Sequence, residues 1–297
     1  MIHTLDLQFL DSTSTIAAFL VEAGDEYILV ETGPHSTLPQ LKKAMVQYGI
    51  ELTDIKHVFL THIHFDHAGA AWALAKHGAT IHVHPQGKRH LQDPTRLYES
   101  ARRIYQDKME YLWGKMEGIA EEQLHICAHK EIIEVNGLKI KALHTPGHAV
   151  HHIAWRIGDA IMTGDVAGVR IKDELVVPPC PPPDIHVADW RRSLDILRAE
   201  NADVFYLTHF GKVESTVQHL VDLERLLLDW ANWIKPHAEA DRPVQEVIPE
   251  FTAYVQGQLK TAGITDAADL ERYEKANPSW MSVAGLMRYW KKIGLQQ

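Results

Sequence analysis

One stretch constrains this chain more than any other: Thr61-His62-Ile63-His64-Phe65-Asp66-His67-Ala68-Gly69. Four potential metal ligands, His62, His64, Asp66 and His67, fall within six residues, straight after the apolar run Val58-Phe59-Leu60. That run predicts a short buried strand, and the Ala-rich segment 68–77 predicts a helix. The ligands therefore lie on a turn leaving a strand end, where alternate side chains can face one ion and their neighbours another. Imidazole and carboxylate suit zinc, iron or manganese, and no thiolate in the stretch favours a softer site. The chain has 20 histidines in 297 residues, so a histidine alone says little, and the ordered spacing carries the signal.

Three more strand-then-ligand units follow. Leu138 to Leu143 runs into Thr145-Pro146-Gly147-His148, Ala160 to Thr163 into Gly164-Asp165, and Val204 to Leu207 into Thr208-His209-Phe210-Gly211. Each is a β-rich run, a small or turn residue, then one His or Asp. Successive strand ends are where an α/β sheet presents its site. Seven ligands from four strand ends predict two adjacent metal sites.

H-x-H-x-D-H, then T-P-G-H, then G-D, then T-H-x-G, in that order, resembles the metallo-β-lactamase-fold hydrolase superfamily, from about Ile16 to Gly211. The resemblance implies an α/β fold, an αββα four-layer sandwich, here with a helical insertion and a C-terminal helical extension. It also implies two divalent metal ions, zinc first, with iron or manganese as alternatives. His62, His64 and His148 would bind the first ion, Asp66, His67 and His209 the second, and Asp165 would bridge them. The β-lactamases of the superfamily usually carry Cys at the position of Asp165, and Asp there resembles the hydroxyacylglutathione hydrolases, lactonases and related esterases. One departure is Glu31 in Glu31-Thr32-Gly33, where the family usually has Asp-Thr-Gly. A carboxylate one methylene longer can still hydrogen-bond a ligand from behind, but the sequence does not say which.

The implied activity is hydrolysis by a metal-bridging hydroxide acting on a thioester, ester or lactone. Asp165 would hold the ion spacing and Asp66 would handle the leaving group's proton. A phosphodiesterase or nuclease of the same fold would use the same ligands. A persulfide dioxygenase relative would bind one iron at the positions of His62, His148 and Asp165. A serine hydrolase is not supported, since Ser12, Ser14 and Ser193 have no G-x-S-x-G setting.

Composition restricts the partners. At 45% hydrophobic and 23% charged residues, the chain can bury a sizeable core. A net charge of -9 argues against general nucleic-acid binding. No run approaches the roughly 20 apolar residues of a membrane span, and Met1 to Asp6 shows no signal-peptide pattern. Cys127 and Cys180 have no paired spacing, which fits a reducing cytoplasm. A small anionic or acyl molecule is the expected substrate. A homodimer is left open.

The remaining pattern gives the elements. Residues 16–30 predict a hairpin, Leu38 to Tyr48 a helix, and Thr80 to His84 a strand with His82 and His84 exposed on one face. Residues 85–125 break the rhythm with one amphipathic helix after Pro94, marked by Leu97, Ala101, Ile104, Met109 and Leu112. They form an expected lid in which Arg102, Arg103 and Tyr105 touch substrate, although the interleaved Glu99, Asp107 and Glu110 also fit a solvated face. His151 and His152 read as a strand-entry pair, with contact to substrate or support of the site as the alternative. Pro178 to Pro183 predicts a stiff rim of the cleft, with Asp184 and His186 exposed on it, followed by a helix from Asp189 to Glu200. From Val213 the pattern is wholly helical, with Trp233, Trp280 and Trp290 expected in its core. The expected division is a catalytic domain over residues 1–212, with the lid at 85–125, and a helical extension over 213–297.

Overall fold

The computed structural model describes residues 1–171 and 175–294. Among the described residues, twelve strands make two six-stranded sheets packed face to face. The first sheet runs in chain order: β1 (Ile2–Asp6), β2 (Ala17–Ala23), β3 (Glu26–Val30), β4 (His57–Phe59), β5 (Thr80–Val83) and β6 (Leu124–Ile126). Its first three strands are antiparallel and its last three continue from β3 in parallel. The second sheet is β7 (Ile132–Val135), β8 (Leu138–His144), β9 (Ile153–Ile157), β10 (Ala160–Met162), β11 (Val204–Leu207) and β12 (Gly211–Val213), again in chain order. Only β10 and β11 pair in parallel there.

Alternation along the strands sends each sheet's residues to two buried faces. Phe19, Val30, Phe59, Trp155 and Met162 fill the space between the sheets. Leu20, Leu29, Val58 and Ile81 face the outer layer with α1 (Leu38–Val46), α2 (Phe65–Ala68) and α3 (Ala71–Lys76). α4 (Lys88–Gln92), α5 (Thr95–Tyr105) and α6 (Met109–Trp113) complete this half. Leu143, Ile161 and Phe205 face α7 (Val187–Glu200), α8 (Thr216–Glu239), α9 (Val244–Thr261) and α11 (Ser279–Gly294), with α10 (Ala267–Ala276) beside them. The result is the αββα sandwich with extra C-terminal helices. No helix among the described residues is long and apolar enough to cross a membrane.

Several expectations are corrected. The Ala68–His77 helix is two pieces, because the Ala70 N–H is drawn to the Gly33 carbonyl (3.0 Å) and the Thr32 N–H to the His67 carbonyl (2.9 Å). These tertiary bonds replace helical ones and fix the turn that carries His62 to His67 against the end of β3. The single lid helix breaks at Gln106, which has a positive φ of 50°, and both halves pack on Phe65 through Ala101 and Met109. α7 starts at Val187 rather than Asp189, and the half-buried His186 caps it by accepting from the Asp189 N–H (3.2 Å). His82 and His84 share a face, but both are buried, because that face is covered by the second sheet.

Candidate metal centre

The two sheets are tied together at one end. The Ile153 N–H donates to the Thr61 carbonyl (2.7 Å), and the Trp155 indole donates to the Leu60 carbonyl (3.0 Å). This brings the turn after β4 against the loops after β8, β10 and β11. His62 and His64 lie on that turn, and Asp66 and His67 lie in the first turn of α2. Asp165 sits in the 3-10 turn Gly164–Ala167 after β10. Gly147, before His148, needs its missing side chain: a Cβ there would lie 2.3 Å from the Trp190 Cα, and its φ is +139°.

The seven expected ligands are all brought together. His62 Nε2 lies 2.9 Å from His64 Nδ1, which lies 3.1 Å from His148 Nε2. Three inward-facing ring nitrogens at such spacing suit one ion about 2 Å from each. The second cluster is looser. His67 Nε2 and His209 Nε2 lie 3.6 and 3.5 Å from Asp66 Oδ2. Asp165 faces both groups, with Oδ1 3.3 Å from His67 Nε2 and 3.4 Å from His209 Nε2, and Oδ2 3.2 Å from His148 Nε2.

The opposite nitrogens are held from behind. His148 Nδ1–H donates to the Pro179 carbonyl (2.9 Å) and His209 Nδ1–H to the Thr15 carbonyl (2.6 Å). His67 Nδ1–H donates to Glu31 Oε1 (2.9 Å). The Thr61 hydroxyl also donates to Glu31, so its oxygen accepts from His62 Nδ1–H (3.0 Å). These bonds fix the tautomers and aim each Nε2 inward. Glu31 is thus the carboxylate behind His67, and the Thr208 hydroxyl also donates to it (3.3 Å).

The donor set fits divalent cations. His67 Nε2, His209 Nε2 and Asp165 Oδ1 are buried with no hydrogen-bond partner, although ion-pair distances connect them. Polar atoms buried that way cost about 1–3 kcal/mol each unless something satisfies them. Burial, with the neighbouring imidazoles, pushes His62 well down and His64 to about 3, and burial lowers His148. These rings are therefore neutral donors. Against the opposing effect of burial, Asp165 first and then Asp66 push His67 well up, and Asp165 with Asp66 raises His209. Burial opposes ionisation of both carboxylates, yet His67 first among their neighbours lowers Asp66 to about 2 and Asp165 well below the usual range. Positive charge is favoured where the carboxylates meet.

Four of the seven candidate ligands, His64, Asp66, Asp165 and His209, line the floor of a cleft of about 1530 Å³. Its walls include Phe9, Ile63, Phe65, Leu97, Tyr105 and Trp113, and its lining also carries Lys88, Arg89, Lys108, Lys275 and Arg288. Pro179 and Pro181 to Pro183 form part of the rim, as the proline run implies.

Residues 13–209 match the family described as the metallo-beta-lactamase superfamily. The chain belongs to that superfamily. It is 28% identical over 154 residues to the metallo-beta-lactamase fold-containing protein ST1585 of Sulfurisphaera tokodaii, covering 50% of this chain and 57% of that one. It is 30% identical over 151 residues to an atrochrysone carboxyl ACP thioesterase of Pseudocercospora fijiensis, covering 50% of this chain and 35% of that one. The matches thus span between about a third and a little over half of these curated relatives. Among solved structures, the family protein TTHA1429 of Thermus thermophilus superposes with a TM-score of 0.71 at 21% identity, covering 99% of this chain and 94% of that one. At that identity the likeness speaks for the fold alone.

Within this superfamily frame, the lid differs in detail from its sequence expectation. Tyr105 lines the cleft, whereas Arg102 and Arg103 are exposed and do not line it. Leu97, Ala101 and Tyr105 recur at four-residue spacing and turn that face of α5 inward, so the two arginines fall on the other face. His151 lines the cleft, while His152 is buried behind it, its Nδ1 2.8 Å from the Thr145 hydroxyl. Trp280 is a wall residue that meets Tyr105 edge-on at 6.0 Å, whereas Trp233 and Trp290 pack on the helical core. Trp280 was expected in the helical core, and the way α10 and α11 fold back puts it on the wall instead.

Proposed function

We propose that this chain is a metal-dependent hydrolase that cleaves a thioester with an apolar acyl part and an anionic leaving group. Oxygen esters and lactones are the next substrates of the same chemistry. The observation that carries this is the convergence of seven imidazole and carboxylate donors at one cleft with an apolar wall and several cations in its lining. A divalent metal, zinc first with iron or manganese as alternatives, would supply a water that ionises near neutral pH and a Lewis acid for the carbonyl oxygen.

His62, His64 and His148 would hold one ion, and Asp66, His67 and His209 a second, with Asp165 between them. Glu31, Thr61, Pro179 and Thr15 keep the rings in the tautomers that this needs. Asp66 is the ligand carboxylate with more exposure toward the cleft, 22% against 5% for Asp165, so it can hold the proton destined for the departing group. Phe65, Tyr105 and Trp113 exclude water and seat the acyl chain. Lys88, Arg89 and Lys108 meet the leaving group, and neither Arg89 nor Lys108 has a carboxylate partner among the described residues. A cleft of about 1530 Å³ exceeds what a drug-sized molecule fills, which suits a substrate in two parts. The similarity to a protein named as an ACP thioesterase supports the same choice. Two free, buried cysteines fit a reducing, cytoplasmic setting.

The test compares kcat/KM of the zinc-loaded chain on a long-chain acyl-coenzyme A, a neutral lactone and bis(p-nitrophenyl) phosphate. The thioester should lead by about tenfold or more, the equivalent of one or two desolvated charge contacts. A phosphodiester turned over faster than the thioester would overturn the assignment.

A further inference from the structure

A second group of metal-binding side chains gathers between the sheets, at the β6 edge of the first. Strand register sets His82 on β5 beside His125 on β6. Cys127 follows β6 directly, where the chain leaves the first sheet for β7 of the second. One ligand atom each from His82, His125 and Cys127 lies within 4.8 Å of the other two. His82 and Cys127 are buried, while the His125 side chain is 42% exposed and opens the group to solvent. None of these residues belongs to the seven-ligand centre.

Two features of the group remain unexplained by packing. His82 Nδ1 is buried with no hydrogen-bond partner. The ring stacks on Phe59 at 4.1 Å and 4°, which orients it without satisfying that nitrogen. The Cys127 thiol makes only a 3.6 Å contact to the His125 carbonyl. The opposite edges of both rings, by contrast, are held: His82 Nε2 lies 3.1 Å from His57 Nδ1, and His125 Nε2 lies 2.6 Å from Glu131 Oε1. Imidazoles that bind metals are characteristically held from behind in this way. Burial first, then His125 and His57, pushes His82 down to about 3, so its ring is neutral and its lone pair free. Burial and then Glu131 push the Cys127 thiol up, so it carries a proton unless a cation displaces it.

We propose that His82, His125 and Cys127 form a separate thiolate–imidazole metal site that takes zinc and fastens β6, with the crossing to the second sheet, onto β5. On binding, the Cys127 S–H bond breaks, the proton passes to solvent, and the sulfur donates its electron pair to the ion. Nothing is oxidised or reduced. Two imidazoles and one thiolate are a donor set for tetrahedral zinc, with one position left for solvent. This site stands whether or not the chain is a thioesterase.

Cobalt(II) is the probe that separates the two sites, because only this one contains sulfur. The full chain is stripped with chelator and titrated with Co²⁺ while the near-ultraviolet spectrum is followed. A thiolate-to-cobalt charge-transfer band should rise to a plateau worth one equivalent, persist in Cys180→Ser, and vanish in Cys127→Ser. His82→Phe, which keeps the stack on Phe59, should also lose the band and serves where the serine variant does not fold. A wild-type spectrum with no thiolate band, whatever fills the seven-ligand centre, overturns the proposal. So does a band that survives in a folded Cys127→Ser chain.

Discussion

Glu31 shows how much one residue can organise. It is wholly buried and adopts a positive φ of 65°, a conformation that a residue with a side chain holds only when its contacts compensate. Its carboxylate accepts from His67, Thr61 and Thr208, so one side chain sets the turn after β4 and the loop after β11 together. Glu31→Gln keeps the size but removes the charge that fixes His67 with its Nε2 inward. Zinc affinity of the chain should fall about 10- to 100-fold, as read by competition with a chromophoric chelator. Equal zinc affinity in variant and wild type would contradict that role. The convergence of the seven side chains was legible because short motifs on strand-end turns leave side chains few directions. The partner of Glu31 was not, because it lies 36 residues away in sequence. The burial of His82 and His84 was also hidden: alternation shows which residues share a face, not whether another sheet covers it.

At the scale of elements, the segment 85–125 is the most revealing. Its helical character was legible as a break in the strand-helix rhythm, and its aromatics were legible as a group. The sequence could not show that the helix stops at Gln106, because packing on Phe65 decides that break. Nor did it show which cations line the cleft. Lys108 follows the break and lines it, as does Arg89 from α4, whereas Arg102 and Arg103 lie on the outer face of α5. Lys108→Ala and Arg89→Ala should each raise KM for an anionic acyl thioester about three- to fivefold, the effect of one partly exposed charge contact. Arg102→Ala and Arg103→Ala should leave KM within error. The comparison is made by steady-state kinetics on each single variant, and the reverse ranking would show that the lid rearranges when substrate binds.

At the scale of the whole molecule, the sandwich depends on the helices after β12. Leu220, Leu223, Leu227, Trp230 and Phe251 share one apolar core with Leu143, Ile161 and Phe205 of the second sheet. We propose that the catalytic unit extends to residue 212 and that these helices close its outer layer. Without them the part of that face not covered by α7 would be exposed to water, at about 25 cal/mol for each Å² uncovered. The full chain should therefore unfold in one cooperative transition by calorimetry, with agreeing calorimetric and van't Hoff enthalpies. Two separated transitions would mean that the helices form an independent domain. Helical periodicity after Val213 made the helical character of this part legible. That Trp280 and Met281 in particular line the cleft was not legible, because it comes from how α10 and α11 fold back.

We propose that metal held by imidazoles and carboxylates at the joined strand ends does the chemistry. The most direct test is thioester hydrolysis by the chain after chelation, after zinc is restored, and in Asp165→Asn. Chelation should abolish turnover and zinc should restore it. The variant should lose about a thousandfold or more in kcat/KM, because the carboxylate between the two clusters is gone. Undiminished turnover by the stripped chain, or by a folded Asp165→Asn chain, would contradict the account.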